Sequence, residues 1–405
     1  MAAPDGGCHR GFSNQNNDRK MRGQALMAPA GHLEFEGLLG ERRIAARSEL
    51  AQVIRMLSTE NLPDVAKVDA ELPVDAFFEP RLYSQLAVPG FESMTLSQLT
   101  LSKASDQSGS RRVRTDKAGI ATFPGIGHIA TGMPDADLTA TYSPAKQAFS
   151  FPAEDGVEKW CEVRTSTFVP NTQIEIIEHI DPVLVNFLEQ HIDAPENLKI
   201  VDNPQRYVES ISKALGLIDH AGPDFHTALV ESLQAILLFQ HPSAESFAAL
   251  GMHGMLFLNV PADAGINYFV EEITHQGGHV LFSEATLNRG EFFIAEPEAA
   301  LSDFLGDSDP RSIYDAFHGL YTEHMESQIV LAVLDRELGV DGLESAFRRH
   351  LDAVLLRHAR DLSLIGKFTD DIFSPLGKAV FMQFQDSYDH VIKENPHLLG
   401  VALHA

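Results

Sequence analysis

Cysteine is nearly absent from this chain, which has 405 residues and only two cysteines, Cys8 and Cys161. Two thiols are too few for a disulfide framework or for a zinc cluster built from thiolates alone. Because such sparse use of cysteine is typical of proteins in a reducing compartment, we expect a cytoplasmic location.

Long apolar runs and basic residues are also scarce. No segment approaches the roughly 18 apolar residues needed to span a bilayer, and the N-terminus lacks the apolar stretch and cleavage site of a signal peptide. Lys and Arg total 31 against 57 Asp and Glu, which gives a net charge of -26. A chain of this charge repels phosphate backbones and anionic lipids, so we expect neither nucleic acid nor membrane as a partner. The oligomeric state stays open.

Hydrophobic residues make up 44% of the chain and predict a globular protein. The patterns along the chain predict a mainly α fold with a smaller β-containing region. We expect a mobile tail over residues 1–30, a mixed α/β region over 31–200 and a mainly helical, metal-binding domain over 201–405. Strand and turn signals are concentrated in 93–178. Helical spacing predicts helices over 41–56, 205–219, 224–239, 264–284, 311–337, 341–362 and 375–393, and the apolar run 254–260 predicts a buried strand.

The most informative segment is 267–282, NYFVEEITHQGGHVLF, in which His275 and His279 stand four residues apart. Residues at this spacing share one face of a helix, so both imidazoles can bind one metal ion. Gln276 stands where a zinc protease needs the Glu that activates water, and an amide cannot take up a proton. Gly277 and Gly278 each cost about 1 kcal/mol in a helix, so we expect a neighbouring element or a substrate to approach them closely.

A third metal ligand is expected downstream, in a predicted helix that begins near Arg311. His318 is the preferred candidate because it lies in a helical row of apolar residues and can face the histidine pair across a helix contact. His324 is the second choice. Carboxylates that would give a site of two histidines and one carboxylate are Glu284, Glu296, Glu298 and Asp303.

The region from about residue 254 to 334 resembles the HExxH-motif-containing peptide modification proteins that occur with ribosomally synthesised peptide natural products. The shared features are the apolar strand, the helix with His275 and His279, and a second helix opened by Asp-Pro-Arg and carrying His318. The resemblance implies an iron(II), 2-oxoglutarate-dependent peptide hydroxylase with a reduced zincin-like helical core. It covers about a fifth of the chain.

Carried over residue by residue, His275 and His279 take the two motif positions and His318 takes the distal histidine. Gln276 occupies the position of the family's catalytic Glu, which leaves open whether the chain is an active oxygenase. Arg311 is a candidate to pair with the distal carboxylate of 2-oxoglutarate, because a guanidinium matches a carboxylate in a bidentate way. Similar orienting roles are predicted, with less support, for Tyr314, Tyr321 and Arg289.

The implied substrate is a peptide or peptide-like molecule, free or attached to a carrier or leader. The alternatives are a zincin-like hydrolase that binds zinc and a peptide-recognition protein without catalysis. Residues 264–310 hold nine acidic residues and one basic residue, Arg289, so we expect negative potential that favours basic peptides. The acidic residues are Glu271, Glu272, Glu284, Glu291, Glu296, Glu298, Asp303, Asp307 and Asp309. In the 341–362 helix, His350 and His358 accompany four arginines and predict a solvated or partner-facing basic face.

Overall fold

The computed structural model describes residues 30–61, 72–87, 94–104, 107–152, 158–305, 309–335 and 342–395. The tail predicted over residues 1–30 lies outside these ranges apart from Ala30, which begins a helix. That helix contains the predicted segment 41–56 and extends beyond it at both ends.

The described residues are mainly helical, with a smaller proportion of strand, and this confirms the predicted fold class at that level. The α-helices are α1 (Ala30–Asn61), α2 (Pro80–Ala87), α3 (Leu96–Leu99), α4 (Pro182–His191), α5 (Val208–Ala221), α6 (Pro223–Ser232), α7 (Ile266–Ala285), α8 (Ser302–Leu305), α9 (Ile313–Asp335), α10 (Glu344–Ile365), α11 (Thr369–Ile372) and α12 (Pro375–Glu394). Short 3-10 helices cover Val74–Phe78, Leu101–Lys103, Pro195–Asn197, Pro204–Tyr207, Leu250–Met252 and Arg289–Glu291.

The strands form three sheets, two of which lie within the predicted β-containing region 93–178. The strands are β1 (Ser110–Arg114), β2 (Ile120–Phe123), β3 (Gly127–Ala130), β4 (Asp137–Ser143), β5 (Ala148–Pro152), β6 (Glu158–Glu162), β7 (Arg164–Thr165), β8 (Thr167–Phe168), β9 (Glu175–Ile176), β10 (Lys199–Ile200), β11 (Ala235–Gln240) and β12 (Met255–Asn259). One sheet has the order β1-β4-β5-β6 and a second has β2-β3-β7, all antiparallel.

The third sheet positions the histidine helix. Its order is β10-β11-β9-β8, with β12 on the other edge of β11, and β11 runs parallel to both β9 and β12. The register pairs Ala235 with Met255 and Phe239 with Asn259. This sheet joins strands from both sides of residue 200, where the sequence predicts a domain boundary, and the boundary itself remains a prediction.

The prediction of a helix over 224–239 is wrong for the second half of that segment. Helix α6 ends at Ser232, Leu233 adopts an extended backbone, and the run AILLF becomes the fully buried strand β11. A short, continuous apolar run has no periodicity that separates a buried strand from a buried helix. The strand predicted over 254–260 is confirmed as β12.

Helix α7 follows β12 and is packed between other helices. Its apolar residues Phe269, Ile273 and Phe282 are fully buried in the main hydrophobic core. The helices against which it packs most closely are α9, α5 and α1. The metal-ligand candidates on α7 therefore face other helices, while the sheet supports the start of α7.

Among the described residues, no helix is both long enough and apolar enough to cross a membrane.

Candidate metal centre

Helix α7 presents its two motif histidines on one face, as their spacing predicts. The Nε2 atoms of His275 and His279 lie 3.2 Å apart, and the two rings meet at a steep interplanar angle of 76°. At this separation the two nitrogens have the spacing of neighbouring ligands on one ion, since a metal bonds each at about 2.0–2.1 Å.

Helix α9 brings His318 against this pair. His318 Nε2 lies 3.1 Å from His279 Nδ1 and 3.0 Å from the carbonyl oxygen of His279, with the two rings perpendicular. His279 is therefore the middle ring of three. His318 approaches the Nδ1 side of His279, whereas His275 faces its Nε2 side. In this arrangement the chain offers two matched ligands and a third imidazole beside them.

The two glycines between the motif histidines have the close neighbours that their cost in a helix predicts. A Cβ on Gly277 would lie 2.3 Å from Leu229 Cδ1 of α6. A Cβ on Gly278 would lie 3.2 Å from Thr322 Cγ2 of α9. The missing side chains let α6 and α9 approach α7 directly, and the second contact brings His318 within reach of His279.

A carboxylate that sequence reasoning missed lies behind His275. Glu326 of α9 is buried, and its Oε2 lies 3.2 Å from His275 Nδ1. Its Oε1 lies 3.2 Å from His350 Nε2, and His350 Nδ1 lies 3.4 Å from Glu271 Oε2. Metal-binding histidines commonly have a carboxylate on the second ring nitrogen, which fixes ring orientation. Glu326 lies two turns after His318, and that spacing was the only local signal for it.

The charge states of these groups suit metal binding. Burial, with His318 and His275 nearby, holds the pKa of His279 well below its usual value. Burial likewise lowers the pKa of His318 to about 4. Burial alone would raise the pKa of Glu326, but the contacts from His275 and His350 outweigh it and hold the pKa at about 2. His279 and His318 are thus neutral and Glu326 is ionised at pH 7, the forms that a metal and its supporting carboxylate need.

The basic, solvated face predicted for the 341–362 helix is wrong for its two histidines. His358 is 1% exposed and contacts the rings of Tyr388 and His324, while His350 lies between Glu326 and Glu271. The two histidines lie on the same side of α10 as its buried apolar residues, and this side packs against α9 and α12.

The other candidate ligands lie elsewhere. His324 is buried and its ring is near those of His358 and Phe384. Glu284 accepts a hydrogen bond from Ser232 Oγ at 2.9 Å and lies 3.0 Å from His253 Nε2. The three remaining carboxylates are exposed on the connection between α7 and α9: Glu296, Glu298 and Asp303.

Gln276 and Arg311 both have partners in the structure. The Gln276 amide donates to the carbonyl oxygen of Ser246 at 3.0 Å, which ties α7 to the β11–β12 connection. The Arg311 guanidinium donates to both Asp309 and Asp361, at 2.8 Å and 2.9 Å from its Nη2. A cosubstrate carboxylate would therefore compete with two carboxylates already bound to Arg311.

The two tyrosines and Arg289 border His318. The Tyr314 hydroxyl lies 2.9 Å from Thr286 Oγ1, and the Arg289 guanidinium lies over the Tyr314 ring at 3.7 Å. Tyr321 stacks on Phe282 with ring centres 4.8 Å apart. The rings of Tyr314 and Phe282 lie against His318, and Tyr321 packs on the Phe282 ring.

Over the ranges that the structure describes, no three His, Cys, Asp or Glu side chains form a group arranged to hold a metal ion. The centre consists of a matched pair, His275 and His279, with His318 next to it and Glu326 behind it. The chain matches no protein-family model, and no curated protein matches it.

Proposed function

We propose that this chain is a metalloenzyme in which His275 and His279 hold a divalent metal through Nε2. In the same proposal His318 becomes the third ligand by turning its ring from the Nδ1 side of His279 towards that ion. The observation that carries the proposal is the separation of 3.2 Å between the two Nε2 atoms on one helix face. The Glu326 carboxylate supports the proposal. It contacts Nδ1 of His275 and so holds the ring with Nε2 pointing away from Glu326.

Among metal-dependent reactions, we favour hydroxylation of a peptide or peptide-like substrate in natural-product biosynthesis, with iron(II) as the metal and 2-oxoglutarate as cosubstrate. When bound, iron(II) would activate dioxygen, and 2-oxoglutarate would supply two of the four electrons that dioxygen accepts, leaving as succinate and carbon dioxide. The reaction needs no general base at Gln276, whose amide is committed to the carbonyl of Ser246. The zincin-like character of the helical core belongs to the same proposal and rests on the resemblance.

The residues of this chain have separate tasks in the proposal. In this proposal His275 and His279 fix the metal, Glu326 orients His275, and the rings of Phe282 and Tyr314 exclude water from one side of His318. Arg311 would bind a cosubstrate carboxylate only by competing with Asp309 and Asp361. Zinc remains the alternative metal, because two histidines suit both ions.

The first experiment measures metal content after anaerobic purification, for the wild type and for His275→Ala, His279→Ala and His318→Ala. We expect one iron per chain in the wild type and loss of it in the first two variants. His390→Ala, an exposed histidine on α12, is the matched control and should retain the metal. Unchanged metal content in both His275→Ala and His279→Ala would remove the site.

The second experiment measures succinate formation from 2-oxoglutarate with iron(II), dioxygen and pools of peptides. Succinate that depends on His275 and on peptide supports the oxygenase. Metal binding without any affinity for 2-oxoglutarate would instead favour the zincin-like hydrolase. In that case Gln276→Glu, which restores a general base, should gain peptide hydrolysis. A chain that shows neither activity but binds peptide would be a recognition protein.

A further inference from the structure

A cleft of about 740 Å³ opens at the carboxyl ends of the parallel strands β11 and β12. Its lining includes Gln240, the last residue of β11, and Asn259, the last residue of β12. Tyr268, in the first turn of α7, closes one side. In open α/β sheets, ligands bind in crevices outside the carboxyl ends of the strands, and this volume is in the range of ligand sites.

The walls of the cleft are held in place by hydrogen bonds. The Asn259 side chain donates to the carbonyl oxygens of His241 and Ala244, at 2.8 Å and 2.7 Å, and accepts from the His241 N–H at 2.9 Å. The Tyr268 hydroxyl donates to the carbonyl oxygen of Asn259 at 2.8 Å. These bonds join the ends of both strands to α7, so the cleft exists before any ligand binds.

The cleft and the metal centre share one face of α7. Tyr268, Glu272, His275 and His279 are spaced at i, i+4, i+7 and i+11, which places them in one stripe along the helix. The rise of α7 between Tyr268 and His275 is about 10 Å. An extended peptide covers this distance with about three residues.

Two side chains with carboxyl groups lie between the two sites. Glu271 and Glu272 lie between Tyr268 and His275, each partly buried. Farther along, the carboxyl group of Glu326 lies behind His275. The outer rim of the cleft offers Glu196 and Lys199 together with the amide of Asn197, a mixture of polar groups that suits a polypeptide backbone.

We propose that this cleft binds an extended segment of a basic peptide substrate and that the residue to be modified lies about three positions from that segment, over His275 and His279. The proposal rests on the function proposed above, because it uses the metal centre as the end point. It identifies the substrate class and the path of the substrate along α7.

The test uses full-length protein and short fluorescein-labelled peptides, capped at both ends, in basic, neutral and acidic pools. Fluorescence anisotropy measures their binding to the wild type, to Asn197→Trp and to Gln190→Trp. Asn197 is exposed at the rim, so a tryptophan there fills the cleft, whereas Gln190 is exposed on α4 outside the lining and is the matched control. Melting temperatures establish that each variant folds.

We expect the basic pool to bind most tightly and Asn197→Trp to weaken that binding by about tenfold or more, a loss of roughly 1.4 kcal/mol. Gln190→Trp should leave it unchanged. Lys199→Glu gives a second readout that does not depend on filling space, since reversing this rim charge should tighten the basic pool and weaken the acidic pool. Binding that is indifferent to Asn197→Trp and Lys199→Glu, or the absence of binding by all three pools, would overturn the proposal.

Metal binding measured in the same samples separates this proposal from the function proposed above. Peptide binding that depends on Asn197, in a protein that binds no metal, would leave the cleft in place and reject the metalloenzyme. Metal binding that depends on His275, with peptide binding that ignores Asn197, would reject the cleft alone.

Discussion

Two polar clusters lie on α7, one buried and one half-buried, and they differ in how their groups are paired. Near the C-terminal end, Glu284 has Ser232, His253 and Arg47 around its carboxylate, and these groups are donors or cations that complement it. In the middle of the helix, His275 and His279 direct nitrogens at each other, and His318 does the same from α9. The first cluster pairs a carboxylate with groups that complement it, whereas the second brings three imidazole rings together edge to face. The second cluster is therefore the one to examine for chemistry.

The largest expected effect breaks the Glu284 cluster. Glu284→Ala removes the buried carboxylate that faces Arg47 and His253, and removing one partner of a buried ion pair costs about 3–5 kcal/mol. Chemical denaturation should show a much lower unfolding midpoint. Glu291→Ala, which removes a more exposed carboxylate paired with Arg42, is the control and should cost at most about 1 kcal/mol. Equal effects of both variants would contradict the contrast.

A pH titration of the metal-free protein tests the histidine cluster. The pKa of His318 is lowered to about 4 in the folded chain, so the unfolded chain binds the proton more readily. This histidine therefore contributes full stability above about pH 6.5, and the contribution is lost as the pH falls towards 4. The total is roughly 3 kcal/mol.

His318→Asn should flatten that part of the stability curve, measured by denaturation in EDTA at several pH values. His390→Asn, at an exposed site on α12, should leave the curve as in the wild type. A wild-type curve that His318→Asn does not change between pH 6.5 and 4 would contradict the desolvation of this ring.

A smaller effect is expected at Glu326, which supports His275 without belonging to the ligand set. Glu326→Gln keeps the shape of the side chain but removes the charge that faces His275 Nδ1. Losing a partner of this kind reduces metal affinity by about 10–100-fold. Cobalt(II) titration followed by its visible absorption measures the affinity and also the ligand field. Glu323→Gln, one turn away on α9, is the control, and an equal loss there would assign the effect to general packing.

The site residues that could be predicted directly from the sequence are near their partners in the chain, whereas those that were missed contact partners on other helices. His275 and His279 are related by one helix turn, so their shared face follows from local geometry. His318 required an assumption about a helix contact, and the structure brings it beside His279. Glu326 and His350 were missed because their contacts depend on how α7, α9 and α10 pack together. The strand β11 was assigned to a helix because its apolar run has no period.

The smallest effects are expected at the two adjacent glycines of α7. Gly277 faces α6 and Gly278 faces α9, so substituting each glycine tests one of these two helix contacts. Gly277→Ala gains about 1 kcal/mol of helix propensity but pushes a Cβ into Leu229 of α6, and overpacking costs about 1–3 kcal/mol. Gly278→Ala meets Thr322 of α9 at the milder distance of 3.2 Å, so its stability should stay within about 1 kcal/mol of the wild type.

The two substitutions should have the opposite order of effect on cobalt(II) affinity. Helix α6 carries none of the candidate ligands, so Gly277→Ala should lower the melting temperature and leave cobalt(II) affinity unchanged. Helix α9 carries His318, so Gly278→Ala moves this ring relative to His279 and should weaken cobalt(II) binding with little change in melting temperature. If Gly277→Ala weakened binding and Gly278→Ala did not, the position of α9 would not govern the site, and His318 would lose its place as third ligand.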